Sequence, residues 1–313
     1  MEIIKNSSTS FGVPQDVFDK LSSKSQTAIA RLLVHKPESF DLTKYPTTKL
    51  AAVLVLLYEK PEDKELYVLL TTRSKKLRSH PGQTALPGGK CEDSDADVIE
   101  TAYREAAEEV ALPLHSSSIH ALCILRPWLS KYRLLVTPVV TLLSDLSVLD
   151  TLVPSDGEVE AIFEHPLEAV LDPELVLARN LWLAETGGEH WPYEEELYNH
   201  SDTQYSPDAA YRMHRFRTSA SPIKGLTSDI LIMTAELAYA RSPTYPRWAP
   251  GQATSFAGIA QILEREREAH EAAILHKKTL GTGILNGLGD GNGGEENISQ
   301  FLGPRNYQMN IGG

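Results

Sequence analysis

The stretch from Gly88 to Leu112, GGKCEDSDADVIETAYREAAEEVAL, constrains this chain more than any other, because its second half reads as a helix with acid gathered along one edge. At about 100° per residue, with Glu105 as zero, Glu109 falls near 40° and Glu108 near 300°, so the three carboxylates share an arc roughly 100° wide. Ala102, Ala106, Ile99, Val110 and Tyr103 occupy the adjoining arc, from about 60° to about 160°, which is the apolar stripe an amphipathic helix buries. The glutamates therefore stand at the edge of a buried face, where they can hold an ion and still reach a substrate. Hard divalent cations take oxygen ligands, and magnesium in particular is held by a few carboxylates, waters and substrate phosphates. Glu105, Glu108 and Glu109 are accordingly candidate ligands for Mg²⁺ or Mn²⁺. Most acidic runs are only solvated faces. The glycine pair Gly88 and Gly89, the acidic loop after it, and Arg104 directly before Glu105 set this one apart.

REAAEEVAL resembles the helical half of the Nudix box, G-x5-E-x7-R-E-U-x-E-E-x-G-U with U aliphatic. Asp95 stands at the loop's acidic position, with five residues between it and Gly89, but eight residues instead of seven separate it from Arg104, and Ala111 stands where the box has glycine. An alanine there implies a different helix exit or some strain, since glycine at that point normally allows a left-handed turn. Upstream, LLTTRSKKLRSHPGQTALPGG (Leu69 to Gly89) is similar to the motif that marks coenzyme A diphosphatases among Nudix proteins, LLTxRSxxxRxxxGxxxFPGG. Arg73, Ser74, Arg78, Gly82, Pro87, Gly88 and Gly89 fall at its spacing, and Leu86 replaces phenylalanine. From Arg73 to Pro87 there are four basic residues and no acid, whereas Gly88 to Leu112 holds eight acids and two bases. Arginine forks suit phosphate oxygens, so Arg73 and Arg78, with Ser74 and the glycines, are candidate substrate-binding residues. KGLTSD (Lys224 to Asp229) resembles the WGLT element of the same family with lysine in place of tryptophan; simple capping of the next helix by Thr227 or Ser228 is the competing reading.

The resemblance implies a mixed-sheet α/β/α sandwich and metal-assisted attack of water on a diphosphate, with coenzyme A giving 3′,5′-ADP and 4′-phosphopantetheine. Arg104 then orients a carboxylate. Glu158, in the segment DGEVE, matches a position that can supply a base from outside the box, with Glu160 the alternate and plain surface charge competing for both. Other nucleoside diphosphate derivatives (ADP-ribose, a dinucleotide, an RNA cap) form the next reading, and a non-catalytic Nudix-fold binding protein a more distant one.

The rest of the chain frames this site. A net charge of −12 speaks against a nucleic-acid surface. Two cysteines make no disulfide framework and fit a reducing compartment. The apolar run Leu50 to Tyr58 is too short to cross a bilayer, MEIIKNSSTS lacks the core of a secretory signal, and NIGG is not an SKL-type address. A cytoplasmic location is the default, with peroxisomal or mitochondrial placement open. Patterning predicts an N-terminal helical extension (residues 1–45, helix Pro14 to His35), a catalytic domain (46–242), a C-terminal helical extension (243–280) and a glycine-rich, disordered tail (281–313). Within the domain, strands are expected at Lys49 to Tyr58, Glu65 to Thr71, Ala121 to Leu125, Leu134 to Leu143 and Tyr211 to Arg217. Glu160 to Asp172 should end as a short helix, Ser228 to Arg241 should be helical, and Trp182 to Ala209 reads as an inserted loop.

Overall fold

The computed structural model describes residues 11–285, apart from 39, 115, 180, 207 and 208. It opens with α1 (Gln15–Phe18) and α2 (Ser23–Val34), so the single helix expected from Pro14 to His35 is broken. Ser22 caps α2: its hydroxyl accepts the Ser25 amide, and its own amide donates to the Glu59 carboxylate at 2.9 Å. A serine so placed offers the backbone an alternative to continuing the helix. Ile29 and Leu32 are fully buried, while Val17, Leu21 and Leu33 pack at the margin of the same core.

The expected hairpin forms as β1 (Leu50–Glu59) and β2 (Leu66–Arg73), followed by β3 (Thr84–Ala85), β4 (Gly88–Lys90) and α3 (Val98–Val110). Next come β5 (Ile119–Ile124), β6 (Trp128–Leu129), β7 (Leu135–Leu143) and β8 (Val159–Pro166), the last passing into a 3-10 turn at Leu167–Val170 where a short helix is expected. After α4 (Leu175–Ala178) lie β9 (Tyr198–Ser206), β10 (Ala209–Phe216), β11 (Ile223–Lys224), α5 (Leu226–Tyr239) and α6 (Phe256–Leu285).

Among the described residues eight strands form one mixed sheet, ordered β3-β2-β1-β7-β5, with β4 on β1, β6 on β7 and β8 on β2. Only β1 and β7 pair in parallel, from Leu50 beside Leu135 to Leu57 beside Leu142. A parallel pair needs a long crossover, and this one carries α3 onto the sheet. Val55, Leu57, Val68, Leu70, Val140 and Leu142 share a core with Ile29 and Leu32 of α2 and with Ile230, Leu231 and Ala235 of α5. The alternate residues of β1, Leu54 and Leu56, are equally buried and by the two-residue period of a strand face the other layer. There α3 packs on β1, β4 and β7. The result is the expected α/β architecture, a sheet with helices on both faces.

The segment expected to be an inserted loop is partly structured. Its second half is β9, paired along its length with β10, which pairs with β11 in a separate three-stranded sheet. YNHSDTQYS gave no alternation of apolar residues because this strand contributes only Tyr198 to the margin of the main core and is held by its backbone ladder. Of the expected tail, Gly281 to Leu285 belong to α6; the remainder, 286–313, lies outside the described residues. The chain divides into two compact units, one ending at Ile262 and a second beginning at Leu263, whose described part is helical. No helix among the described residues is long and apolar enough to cross a membrane.

One buried histidine makes stability depend on pH. His165 of β8 is 2% exposed, and its Nε2 has no hydrogen-bond partner among the described residues. Burial, with help from the charge of Arg179, pushes its pKa down to about 3. Below its ordinary pKa of about 6.5 the unfolded chain takes up a proton that the folded one refuses, so stability falls as pH drops, by about 1.4 kcal/mol per unit between the two values. Thermal unfolding is expected to show a loss of about 2 kcal/mol between pH 6.5 and pH 5 from this residue. His165→Leu should flatten that slope; an unchanged slope would show that other groups set it.

Candidate active site

The helix α3 begins where the sequence says it should. The Asp97 carboxylate accepts the amides of Ile99 and Glu100 at 2.8 and 2.9 Å, and Glu100 reaches back to accept the Ala96 amide at 2.6 Å. At its other end Ala111 takes the left-handed conformation, φ 56° and ψ 32°. The turn that glycine makes in the resembling motif is thus kept, and alanine bears strain of about 1–2 kcal/mol. Ala111→Gly is expected to raise stability by up to about 1 kcal/mol, the relief being partly offset by the greater freedom of the unfolded chain. Denaturant unfolding reads this directly, and a loss of stability would refute it.

Arg104 organises the acidic loop. Its Nε and Nη2 donate to the two oxygens of Asp95 at 2.9 and 3.0 Å, and Nη2 also donates to the Lys90 carbonyl. The remaining nitrogen, Nη1, donates to Glu105 at 3.2 Å and to Glu108 at 3.3 Å. With its donors so committed, Arg104 positions carboxylates, as expected. Asp95 is buried. Burial alone would push its pKa up, but the Arg104 fork, the Glu92 amide and the Thr101 hydroxyl outweigh that and hold it below the usual carboxylate range. The extra residue between Asp95 and Arg104 is thus absorbed by the loop without loss of the pair.

The glycine pair has a steric reason. A Cβ on Gly89 would stand 2.4 Å from the Glu105 carboxylate, and one on Gly88 would strike the backbone of β1, 2.4 Å from the Ala52 carbonyl oxygen. The bare backbone lets the Gly88 amide donate to Glu109 at 3.1 Å. Glu109 is 6% exposed, and Arg73 Nη1 lies 3.6 Å from it. Burial, opposed by that amide and by Arg73 and reinforced by the charges of Glu105 and Glu158, pushes the Glu109 carboxyl up to about 7. Burial likewise raises Glu105, against the pull of Arg104. Glu108 is the exposed member, its side chain 58% accessible.

The three glutamates thus share one helix edge but point to two sets of partners, and no three acidic, histidine or cysteine side chains among the described residues are gathered closely enough to hold an ion as they stand. The donor set itself fits a hard cation: three carboxylates, two of them made less willing to carry charge by burial. Among the described residues Glu108, exposed, is held only by Arg104, at 3.3 Å.

Of the candidate substrate residues, Arg73 is brought to Glu109, whereas Arg78 is exposed and makes no ion pair with any described residue. Ser74 is buried, and its amide donates to the carbonyl of Glu158 at 2.8 Å. The motif loop closes through the Gly82 amide on the Arg73 carbonyl, with Gly82 at φ 67°. Glu158 and Glu160 are both exposed, and the Glu158 charge is felt at Glu109. The capping expected of KGLT is not found. Gly225 itself occupies the cap of α5 at φ 62°, and the hydroxyls donate to carbonyls instead, Ser228 to Gly225 at 2.6 Å and Thr227 to Thr84 at 3.3 Å. Both cysteines are free and buried. Within the expected insertion Trp182 to Ala209, the residues Glu189, His190, Pro192 and Tyr193 line a cleft beside the motif loop.

Comparison with known proteins agrees with this architecture. The profile of the NUDIX domain matches residues 48–186. Nudix hydrolase 15, mitochondrial, of Arabidopsis thaliana is 38% identical over 202 residues, 64% of this chain and 63% of that protein, so the match spans slightly less than two thirds of the relative's length. Nudix hydrolase 22, chloroplastic, of the same plant is 34% identical over 230 residues, 71% of this chain and 68% of that one. An uncharacterized Nudix hydrolase, NudL, of Yersinia enterocolitica is 44% identical over 157 residues, half of this chain and 72% of the relative. With its helix of glutamates, its glycine pair and these relatives, the chain belongs to the Nudix hydrolase family.

Proposed function

We propose that this protein hydrolyses a diphosphate linkage, with coenzyme A or a derivative as substrate, and that Glu105, Glu108 and Glu109 hold Mg²⁺ or Mn²⁺. The observation that carries the reading is Glu109: a buried carboxylate at the margin of a basic motif loop, against a glycine amide, with its proton affinity raised. Such a group gains most from a cation. When bound, the cation would neutralise charge on the transferring phosphoryl group and lower the pKa of the attacking water.

The chain's own residues have separate tasks. Arg104 fixes Glu105 and Glu108 from one side, and Asp95 anchors Arg104. Arg73 faces Glu109 and offers a guanidinium to phosphate oxygens, while Ser74, Gly82, Gly88 and Gly89 shape the backbone that lets the diphosphate approach. Arg78 extends the basic loop toward solvent. Glu158 takes the proton of the attacking water from outside the helix. The coenzyme A preference rests on the spacing of Arg73, Ser74, Arg78, Gly82 and the Pro87–Gly89 run.

The test is a panel of coenzyme A, 3′-dephospho-coenzyme A, ADP-ribose and diadenosine tetraphosphate with the purified full chain and Mg²⁺ or Mn²⁺. Coenzyme A should be consumed fastest, giving 3′,5′-ADP and 4′-phosphopantetheine on chromatography. Faster cleavage of ADP-ribose or the dinucleotide would overturn the substrate assignment, and no cleavage of any member would overturn the reaction.

A further inference from the structure

A cleft of about 390 Å³ opens beside the motif loop, lined by Thr72, Lys75, Gly82, Tyr193 and Lys224 among others. That is a volume suited to a small ligand. Its lining includes Thr72 and Gly82 of the motif loop, which also carries Arg73, the residue 3.6 Å from Glu109.

One wall is the segment 184–196, and it is firmly built. Trp191 is fully buried, and its indole donates to the Glu195 carbonyl at 2.6 Å. The Ala184 amide donates to the Thr218 carbonyl at 2.9 Å, and Arg217 donates to the carbonyls of Ala184 and Glu196 at 2.6 and 2.9 Å. Tyr193 stands edge-on to Trp191, ring centroids 4.9 Å apart, and Lys75 pairs with Glu189 at 2.6 Å, tying this wall to the motif loop.

Lys224 is different from Lys75. It enters the cleft from β11, beside Arg215 of β10, at the position where the resembling element carries tryptophan. Its side chain is half-buried, and its ammonium makes no hydrogen bond or ion pair with any described residue. Burial and the neighbouring charge of Arg215 push its pKa down. A partly desolvated cation without a counter-charge is costly, and an anionic ligand removes the cost. The scissile diphosphate belongs at the glutamate edge, so the anion that meets Lys224 is another group of the same substrate. A phosphate monoester, with a charge of about −1.5 to −2 and three acceptor oxygens, matches the three donors of an ammonium.

We propose that Lys224 is a specificity-determining residue that binds a phosphate monoester carried by the substrate beyond its scissile diphosphate, with Tyr193 as the wall for the adjoining heterocycle. The proposal rests on the diphosphatase reading for its kinetic consequence but not for its binding test. Calorimetric titration of the full chain should show adenosine 3′,5′-bisphosphate binding about tenfold or more tightly than AMP, the worth of one charge-assisted contact. Lys224→Met should erase that difference by weakening the bisphosphate alone, and Lys224→Arg should restore most of it; Lys224→Gln replaces the methionine variant if that one does not fold. Equal binding of the two nucleotides by the native chain, or a preference that survives loss of the charge, overturns the proposal. In turnover, Lys224→Met should raise KM for coenzyme A about tenfold, leave kcat within about twofold, and leave 3′-dephospho-coenzyme A unaffected. If neither compound is hydrolysed while the binding preference and its loss both hold, the substrate reading fails and the phosphate subsite stands.

Discussion

Glu109→Gln should lower turnover by about a hundredfold or more while leaving the fold intact, because it removes charge from the centre that stabilises the transition state. Glutamine preserves shape and can still accept the Gly88 amide. It also relieves the protein. A carboxyl whose folded pKa lies near 7 holds its proton more tightly than in the unfolded chain, so its contribution is lost as pH rises from about 4.5 through about 7. The metal-free variant is therefore expected to melt at a higher temperature than the native protein above pH 7, even as activity disappears. Glu108→Gln should show a comparable loss of turnover without the gain in stability, since that side chain is exposed. Glu100, whose carboxylate accepts the Ala96 amide at the start of α3, is the control and should tolerate glutamine in activity. Near-normal turnover in both Glu108→Gln and Glu109→Gln would sink the metal assignment.

The largest effect on stability is expected from Arg247→Met. Arg247 donates through Nη1 to Asp229 at 2.8 Å and through Nη2 to the Asp229 carbonyl at 3.1 Å, and both side chains are under 10% exposed. Asp229 lies in the first turn of α5, and it also accepts the Tyr211 hydroxyl at 2.7 Å. Burial raises its pKa even with the arginine in place. Losing the guanidinium takes from a buried carboxylate its hydrogen-bonded counter-charge and leaves only the more distant charge of Arg126, at a cost of up to about 3–5 kcal/mol. The packing of Arg247 over Trp248, 4.1 Å from the ring centroid, is lost as well. Denaturant unfolding of the single variant and of Arg247→Met with Asp229→Asn separates the causes. The second change should recover much of the loss, and a double variant no better than the single one would assign the effect to packing.

The helix α3 was legible because two signals coincided, an apolar stripe of Ile99, Ala102, Ala106 and Val110 and a capping aspartate before it. The strands β1, β2, β5 and β7 were legible from their unbroken apolar runs, which strands buried on both faces require. β9 was not, because Tyr198 to Ser206 carries polar residues on both faces and takes its stability from the ladder with β10. The break between α1 and α2 turned on one serine hydroxyl competing with the helix, and its weight depends on Glu59, far along the chain. In the candidate site, the contacts of Arg104 with Glu105 and Glu108 were implied by helical spacing, but the steric need for Gly89 was not, since it arises from a carboxylate sixteen residues away. Lys224 and Tyr193 come to the motif loop only through tertiary folding: the KGLT element marked Lys224 but not the cleft it enters, and Tyr193 has no local pattern that announces it.

The core shared by α2, the sheet and α5 separates two kinds of boundary. The segment that marks the family, residues 48–186, is a unit of inheritance. It is not a unit of folding. Cut at those limits, the sheet would lose Ala28, Ile29 and Leu32 from one side of the cut and Ile230, Leu231 and Ala235 from the other. Val55, Leu57, Val68 and Val140 would then lie open to water as one continuous apolar face, the kind of surface that drives aggregation. Any minimal version of this protein has to begin before α2 and continue past α5, so the residues that recognise nothing and catalyse nothing set the smallest length at which the catalytic ones can be held in place.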